Sequence, residues 1–275
     1  MPVDHRNLSG KVAVVTGSTQ GLGEAVARLF VERGAAGVVL CGRSRERGEA
    51  LAKEVGGDCK VLFTPADLAR VADCRAVMRV ADEAFGRVDA LVNCAANTER
   101  GNILNTTPEL FDQIFAVNIR APFFLMQDAA KIMRREKIAG AMVNIISMSS
   151  HAGQPFITAY SASKSALAGL TRNVAYALLP DRIRVNGLNI GWMNTPAEHA
   201  IQTKFHNAPP DWLAKAAAAQ PFGRLLEPRE VARMVAFLCS DESGMMTGSV
   251  VDFDQSVAGA YDDPPQPAAR LADES

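Results

Sequence analysis

Short runs of apolar, mostly β-branched residues alternate along the chain with longer segments of helical periodicity, and this alternation limits the possible folds more than any other feature. The runs predict strands at Lys11–Thr16, Gly37–Cys41, Lys60–Thr64, Asp89–Asn93, Ala141–Ser147, Arg182–Ile190 and Ser249–Phe253. Helices are predicted after the first strand to about Arg33 and at Ser44–Val55, Ala69–Phe85, Pro108–Lys137, Ala159–Leu179 and Glu230–Leu238. Uninterrupted apolar strands are typical of a sheet buried on both faces. The sequence therefore predicts an α/β protein, a single-domain Rossmann-like doubly wound parallel sheet of about seven strands with helices on both faces.

Two segments depart from this alternation. The stretch 192–224 contains four prolines and is predicted to be an irregular loop over a substrate site. Its aromatic side chains are predicted either to cover the substrate or to pack the loop. The tail 262–275 is rich in proline and charge and is predicted to be disordered. The predicted domain is therefore 1–261, followed by a disordered tail at 262–275.

Composition excludes several classes of function. The formal net charge is -1, so the chain has no overall positive charge that would favour binding to nucleic acid. No apolar stretch is long enough to span a membrane, and the start lacks the apolar core of a secretory signal. The five cysteines and four histidines show no metal-ligand spacing. We expect a cytoplasmic protein with no metal, membrane or nucleic-acid partner.

A glycine-rich loop follows the first predicted strand and opens the first helix. Its residues are Gly17, Ser18, Thr19, Gln20, Gly21, Leu22 and Gly23. The glycines permit a sharp turn, close approach of a pyrophosphate, and close packing of helix on sheet. The helix N-terminus would offer N–H donors to the anion. The loop therefore predicts a dinucleotide site, the alternative being a tight turn without a ligand.

A Tyr-x-x-x-Lys pair, Tyr160 and Lys164, lies near the start of the fifth predicted helix. Residues four apart lie on one helical face, so both side chains can enter one cleft. A free tyrosine has a pKa of about 10, which a neighbouring ammonium lowers. The pair follows a strand that ends in Ser147, and together these features predict a proton-transfer site.

The glycine spacing T-G-x-x-x-G-x-G and the serine, tyrosine and lysine together resemble the classical short-chain dehydrogenase/reductase family, from about Leu8 to Phe253. The resemblance implies that Tyr160 is the general acid or base and that Lys164 lowers its pKa and holds the nicotinamide ribose. It also implies that Asn118, in Val-Asn-Ile, holds a relay water. A homotetramer or dimer through the fourth and fifth helices is a further implication.

The family also uses a serine to polarise the substrate carbonyl, and three serines are candidates. Ser147 is favoured because it follows the strand and lies thirteen residues before Tyr160, the family's common interval. Ser150 remains the alternative, because it opens a Ser-x-x-Gly stretch. Ser149 would then cap the loop. His151 is expected at most to contact the substrate.

The end of the second predicted strand indicates which dinucleotide binds. Gly42 occupies the position where NAD-selective members of the family carry an acid, and Arg43 and Ser44 follow it. A planar guanidinium suits a 2′-phosphate, so the sequence predicts NADP(H) over NAD(H). The alternative is that Arg43, Arg45 and Arg47 are a solvated helix start. By resemblance, the other cofactor-binding positions, besides Tyr160 and Lys164, are Asp67, Leu68, Asn93, Ala95, Gly191, Met193 and Thr195.

Three positions depart from the family pattern without removing a predicted catalytic group: Ala96, Ile190 and Gln255. The predicted function is NADP(H)-dependent hydride transfer between nicotinamide and a small-molecule carbonyl or secondary alcohol. The alternatives are an NAD-dependent alcohol or sugar dehydrogenase and a non-catalytic dinucleotide-binding regulatory protein.

Overall fold

Seven parallel strands form one sheet in the computed structural model, which describes residues 7–260. The strands are β1 Val12–Thr16, β2 Gly37–Gly42, β3 Lys60–Pro65, β4 Ala90–Asn93, β5 Ala141–Ile145, β6 Arg184–Ile190 and β7 Val250–Phe253. Their order in the sheet is β3-β2-β1-β4-β5-β6-β7. The predicted fold class is confirmed. The tail prediction for 262–275 lies outside the described residues.

Helices cover both faces of this sheet. Their bounds are α1 Gly21–Glu32, α2 Arg45–Val55, α3 Val71–Phe85, α4 Pro108–Phe115, α5 Ala121–Arg135, α6 Thr158–Ala177, α7 Pro196–His206, α8 Trp212–Ala218 and α9 Pro228–Cys239. Neighbouring residues of β1 show why its apolar run is uninterrupted: Val15 packs in one core with α1 and α9, whereas Val14 packs in the other with α3 and α5. Each strand residue is buried by a helical layer whichever way it points.

Two predicted segments differ from the structure. The single helix predicted at Pro108–Lys137 is interrupted by a π-helical turn, Ala116–Arg120, where Ala121 N donates to Ala116 O. The prediction of an irregular segment at 192–224 was wrong, because α7 and α8 lie within it. Thr195 starts α7 by accepting a hydrogen bond from Glu198 N at 3.1 Å. Proline at the first helical position is compatible with a helix, so Pro196 does not break α7.

From β1 the chain adds β2 and β3 on one side of the sheet and then β4 to β7 on the other side. The functional elements lie at this switch point between β1 and β4. Chain segments that leave neighbouring strands in opposite directions open a crevice at the carboxyl edge of such a sheet. The glycine-rich loop leaves β1 there, and the segment after β4 leaves beside it. In the part of the chain that the structure describes, no helix is long and apolar enough to cross a membrane.

Candidate active site

The glycine-rich loop is closely packed against the segment after β4. Gly17 has φ +62°, and a Cβ atom there would lie 2.8 Å from Ala95 Cα. A Cβ atom on Gly23 would lie 2.4 Å from Gly17 O, so the start of α1 can approach the turn only without one. Gln20 precedes α1 and makes no side-chain cap. The first-turn N–H groups of α1 therefore have no capping side chain, which suits a bound pyrophosphate.

Several predicted cofactor residues can contact a ligand only through their backbone. The Ser18 hydroxyl accepts from Cys41 N at 3.0 Å and donates to Cys41 O at 3.3 Å, tying the loop to β2. Leu22, Leu68 and Met193 are each under 10% exposed, with their side chains in the core clusters. These side chains hold the loops in place rather than facing the crevice.

The end of β2 presents Arg43 to solvent, and none of the described residues forms an ion pair or hydrogen bond with its side chain. A Cβ atom on Gly42 would lie 2.7 Å from Thr19 Cγ2, so Thr19 occupies the space that an acidic side chain would need. Ser44 caps α2 by accepting from Arg47 N at 3.4 Å. Arg47 is not merely solvated, because its Nη1 donates to Gln20 Oε1 at 2.8 Å.

The other predicted cofactor positions line the same carboxyl edge. Asp67 is exposed after β3, and its Oδ1 accepts from Ala69 N at 3.1 Å. Asn93 is 2% exposed and donates to Asn144 Oδ1 at 2.8 Å, whereas its own Oδ1 is buried without a hydrogen-bond partner among the described residues. Thr195 faces the loop, because a Cβ atom on Gly21 would lie 3.6 Å from its side chain. Gly191 follows β6 and packs against Asp254. An unpaired buried acceptor beside an uncapped helix start fits a bound dinucleotide.

Tyr160, Lys164 and Ser147 form one cluster. Lys164 Nζ lies 5.6 Å from the centroid of the Tyr160 ring and donates to Ile145 O at 2.8 Å. The Ser147 hydroxyl lies close enough to the Tyr160 phenol to favour its ionised form and lower its pKa. It also accepts from Ser149 N at 3.2 Å and Ser149 Oγ at 2.9 Å, which leaves its own proton to donate.

Ser150, the alternative to Ser147, points elsewhere. Its hydroxyl donates to Asn189 Oδ1 at 2.9 Å. His151 likewise turns away from Tyr160, with Nε2 at 2.9 Å from Asp252 Oδ1 on β7. Of the two serines that the sequence left open, Ser147 is the one whose hydroxyl acts on the pKa of Tyr160.

Burial dominates the electrostatics of this cluster. Burial raises the pKa of Tyr160. The nearby Ser147 hydroxyl and the Arg100 guanidinium lower it, and the Glu198 carboxylate raises it further. Burial lowers the pKa of Lys164 to about 8. The lowered Tyr160 pKa expected from the sequence is therefore not found. Lys164 directs a hydrogen bond to a backbone carbonyl instead of to the phenol, and desolvation of the phenolate outweighs the attractive contributions.

Asn118 lies in the π-helical turn and is 1% exposed. Its Nδ2 donates to Asn97 O and to Ser163 Oγ, both at 3.0 Å, and its Oδ1 accepts from Asn97 N at 2.8 Å. The side chain thus fastens the segment after β4 to α6, one residue before Lys164. Turns of this kind occur frequently at functional sites.

Arg100 and Glu198 were missed by the sequence reasoning. Both act electrostatically on the pKa of Tyr160, so both lie in its neighbourhood. They come from different segments, one after β4 and the other in α7. No local motif marks either residue, and only their location beyond the carboxyl ends of β4 and β6 could have pointed to them.

Known proteins share this architecture over most of the chain. The family model described as enoyl-(acyl carrier protein) reductase matches residues 17–256. The 3alpha-hydroxysteroid dehydrogenase of Mediterraneibacter gnavus is 37% identical over 249 residues, which is 90% of this chain and 96% of the relative. The NADP-dependent (R)-specific alcohol dehydrogenase of Lentilactobacillus kefiri is 32% identical, covering 89% and 96%.

A solved structure adds to these sequence matches. L-sorbose reductase of Gluconobacter frateurii, complexed with NADPH and L-sorbose, superposes with a TM-score of 0.87 at 28% identity, covering 94% of this chain and 100% of that one. The parallel sheet and its carboxyl-edge site define a nucleotide-binding oxidoreductase. The chain belongs to the short-chain dehydrogenase/reductase family, whose members bind a nicotinamide dinucleotide, and it is an enzyme that acts on CH–OH and C=O groups.

Proposed function

We propose that this protein is an NADP(H)-dependent oxidoreductase that reversibly reduces the carbonyl of a small molecule to a secondary alcohol. The observation that carries the proposal is the cluster of Ser147, Tyr160 and Lys164 at the carboxyl edge of the sheet. Relatives named as an alcohol dehydrogenase and a hydroxysteroid dehydrogenase, and a structural neighbour named as a sorbose reductase, support the reaction class.

The raised pKa of Tyr160 suits the reductive direction. A tyrosine whose pKa lies above its usual value stays protonated at neutral pH and can donate its proton to a carbonyl oxygen. Ser147 has a proton free for the same oxygen as negative charge develops on it. When bound, NADPH supplies the hydride to the carbonyl carbon.

In this scheme Lys164 resupplies the proton that Tyr160 donates. With a pKa of about 8 it is charged at pH 7, yet it releases a proton more readily than an ordinary lysine. Its ammonium has three N–H donors, one of which binds Ile145 O, leaving two for a ligand or a water. Asn118 acts in this scheme as a positioning residue, because its amide is committed to Asn97 and Ser163.

Arg43 supports NADP(H) over NAD(H). Its guanidinium stands at the end of β2 with no partner among the described residues, and it can form paired hydrogen bonds to a 2′-phosphate. Thr19 fills the space beside Gly42 that a ribose-binding acid would need.

The proposal is tested by titrating the protein with NADPH and with NADH, followed by nicotinamide fluorescence, and then adding carbonyl substrates. We expect tighter binding of NADPH, and loss of that preference in Arg43→Asp but not in Arg45→Ala, a neighbouring arginine paired with Glu49. Tyr160→Phe should keep NADPH binding and lose nearly all turnover. An unchanged preference in Arg43→Asp would refute the cofactor assignment, and retained turnover in Tyr160→Phe would refute the mechanism.

A further inference from the structure

Arg100 lies beside the start of α6, in the segment that follows β4. The adjacent Gly101 forms a parallel bridge with Ile157, and its N–H donates to Phe156 O at 2.9 Å. The Arg100 guanidinium lies 5.6 Å from the centroid of the Phe156 ring, and its Nη1 donates to Thr98 O at 2.9 Å. Backbone pairing and side-chain contacts therefore hold the guanidinium near the helical turn that carries Tyr160.

This guanidinium has unused hydrogen-bonding capacity. It carries five N–H donors, and the Nε donor is buried without a partner among residues 7–260. Burial lowers the pKa of Arg100, although not enough to remove its charge near neutral pH. A buried donor without an acceptor is rare in native proteins, and it points to a ligand oxygen.

Glu198 presents an acceptor to the same cleft from α7. Its Oε1 accepts from Trp192 Nε1 and from Gln202 Nε2, both at 2.8 Å, and Trp192 is stacked on Trp212 at 6.0 Å between ring centroids. None of the described residues donates a hydrogen bond to Oε2. The carboxylate is therefore held in place through one oxygen while the other is available.

Two contacts hold α7 over the segment that contains Arg100. Lys204 Nζ forms an ion pair with Glu99 Oε1 at 3.1 Å, and the His206 ring meets the edge of Phe156 at 5.2 Å. Arg100 and Glu198 act on each other electrostatically, yet they form no salt bridge. Opposite charges that face one cleft without touching leave room for a group that binds to both.

The chemistry of the two groups restricts what this group can be. A guanidinium only donates hydrogen bonds and a carboxylate only accepts them, whereas a hydroxyl does both. A substrate carboxylate would suit Arg100 but be repelled by Glu198, and an ammonium would be repelled by Arg100. An alkyl group would desolvate both charges without pairing either.

We propose that Arg100 and Glu198 bind one hydroxyl group of the substrate: Arg100 donates a hydrogen bond to its oxygen, and Glu198 accepts a hydrogen bond from its O–H. The substrate class is then an uncharged hydroxy ketone or hydroxy aldehyde, with the hydroxyl close to the carbonyl that is reduced. This inference rests on the proposed function, because it places the hydroxyl next to a carbonyl protonated by Tyr160.

Three small ketones that differ only beside the carbonyl test this inference: hydroxyacetone, butanone and pyruvate. NADPH oxidation would be followed with each to obtain kcat/KM. A site built for a hydroxyl discriminates strongly against an analogue that lacks it, and we expect hydroxyacetone to be preferred over both others by about 100-fold. In Arg100→Met and Glu198→Gln the preference should fall below about tenfold, mainly because kcat/KM for hydroxyacetone decreases. Any change in the proton affinity of Tyr160 affects all three ketones alike and cancels in the ratio.

Arg79→Met and Glu83→Gln are matched controls, because these residues pair with each other on α3 at 3.9 Å, outside the cluster around Tyr160. Both should leave the preference unchanged. A preference for butanone or pyruvate, or a preference for hydroxyacetone that survives in both site variants, overturns the hydroxyl assignment and leaves the proposed function standing. Binding of NADPH without reduction of hydroxyacetone also overturns the hydroxyl assignment, whereas the proposed function fails only if no ketone or aldehyde of a broader panel is reduced.

Discussion

Lys164 is a lysine with only 2% of its surface exposed, and we expect that replacing it with methionine will stabilise the folded protein at neutral pH. Burial lowers the pKa of this lysine from 10.5 to about 8. At about 1.4 kcal/mol per tenfold change in proton affinity, keeping the ammonium charged inside the fold costs about 3 kcal/mol at pH 7. Methionine keeps an unbranched side chain of similar length and removes this cost.

The hydrogen bond from Lys164 Nζ to Ile145 O is lost in the variant, and an unpaired buried carbonyl costs about 1 kcal/mol. The expected net gain in the free energy of unfolding at pH 7 is therefore about 2 kcal/mol. The gain should depend on pH. Between pH 8 and pH 10.5 the lysine binds a proton in the unfolded chain but not in the folded one, so the stability of the native sequence rises through this range. Close to pH 10 the difference between the two proteins should be near zero.

Urea denaturation at pH 7 and at pH 10, followed by circular dichroism, measures both quantities. Lys131→Met is the control, because Lys131 is exposed and pairs with Asp128 on the same helix, and we expect a change below about 0.5 kcal/mol. A Lys164→Met protein that is less stable than the native one at pH 7, or a gain that is equal at both pH values, would refute this account. The same variant should have almost no turnover, since it lacks the proton donor next to Tyr160.

Three further predictions concern the same site. Ser147→Ala should lower kcat by about 100-fold, whereas Ser150→Ala should change it less than about fivefold. The reason is that Ser147 acts on the pKa of Tyr160, whereas the Ser150 hydroxyl is bonded to Asn189. Equal losses of kcat in steady-state kinetics would contradict this. Carbonyl reduction should slow as pH rises through about 8, where Lys164 loses its proton, and a pH–rate profile that instead rises there would count against Lys164 as proton donor. Gly17→Ala should lower the free energy of unfolding by about 2 kcal/mol or more and weaken NADPH binding. The new Cβ atom would lie 2.8 Å from Ala95 Cα, in a left-handed backbone conformation. Thermal denaturation measures the first effect and fluorescence titration the second.

The strands and the sheet could be predicted from the sequence because a strand buried on both faces has apolar residues at consecutive positions. Val14 and Val15 face different cores, and the run from Val12 to Thr16 therefore contains no polar residue before its last position. The π-helical turn could not be predicted, since it is a shift of one backbone hydrogen bond from Ala121 to Ala116 and requires no particular residue type. α7 was missed because prolines were weighed as helix breakers. The cap formed by Thr195, with Pro196 first in the helix and Glu198 in the first turn, was a readable signal.

Within the site, the motif residues could be predicted and the residues that define the cleft could not. Tyr160 and Lys164 are one helical turn apart, so their proximity follows from helix geometry alone. The choice between Ser147 and Ser150 depended on the path of a short loop, which the family spacing indicated. In the structure Ser150 is bonded to Asn189, whereas Ser147 acts on the pKa of Tyr160. Arg100 and Glu198 lie near each other only because α7 packs on the segment after β4, and no sequence motif around either residue predicts that packing.

The contact between Thr19 and Gly42 restricts how this enzyme could change its coenzyme in the course of evolution. An aspartate at position 42 would bring its Cβ atom to 2.7 Å from the Thr19 methyl group, so the Thr19 side chain would have to turn aside before any new hydroxyl contact formed. Shortening Thr19 to serine first would open the space without adding a charge beside Arg43. The two mutations are thus expected to be epistatic, because the room for an acidic side chain at position 42 depends on the side chain at position 19.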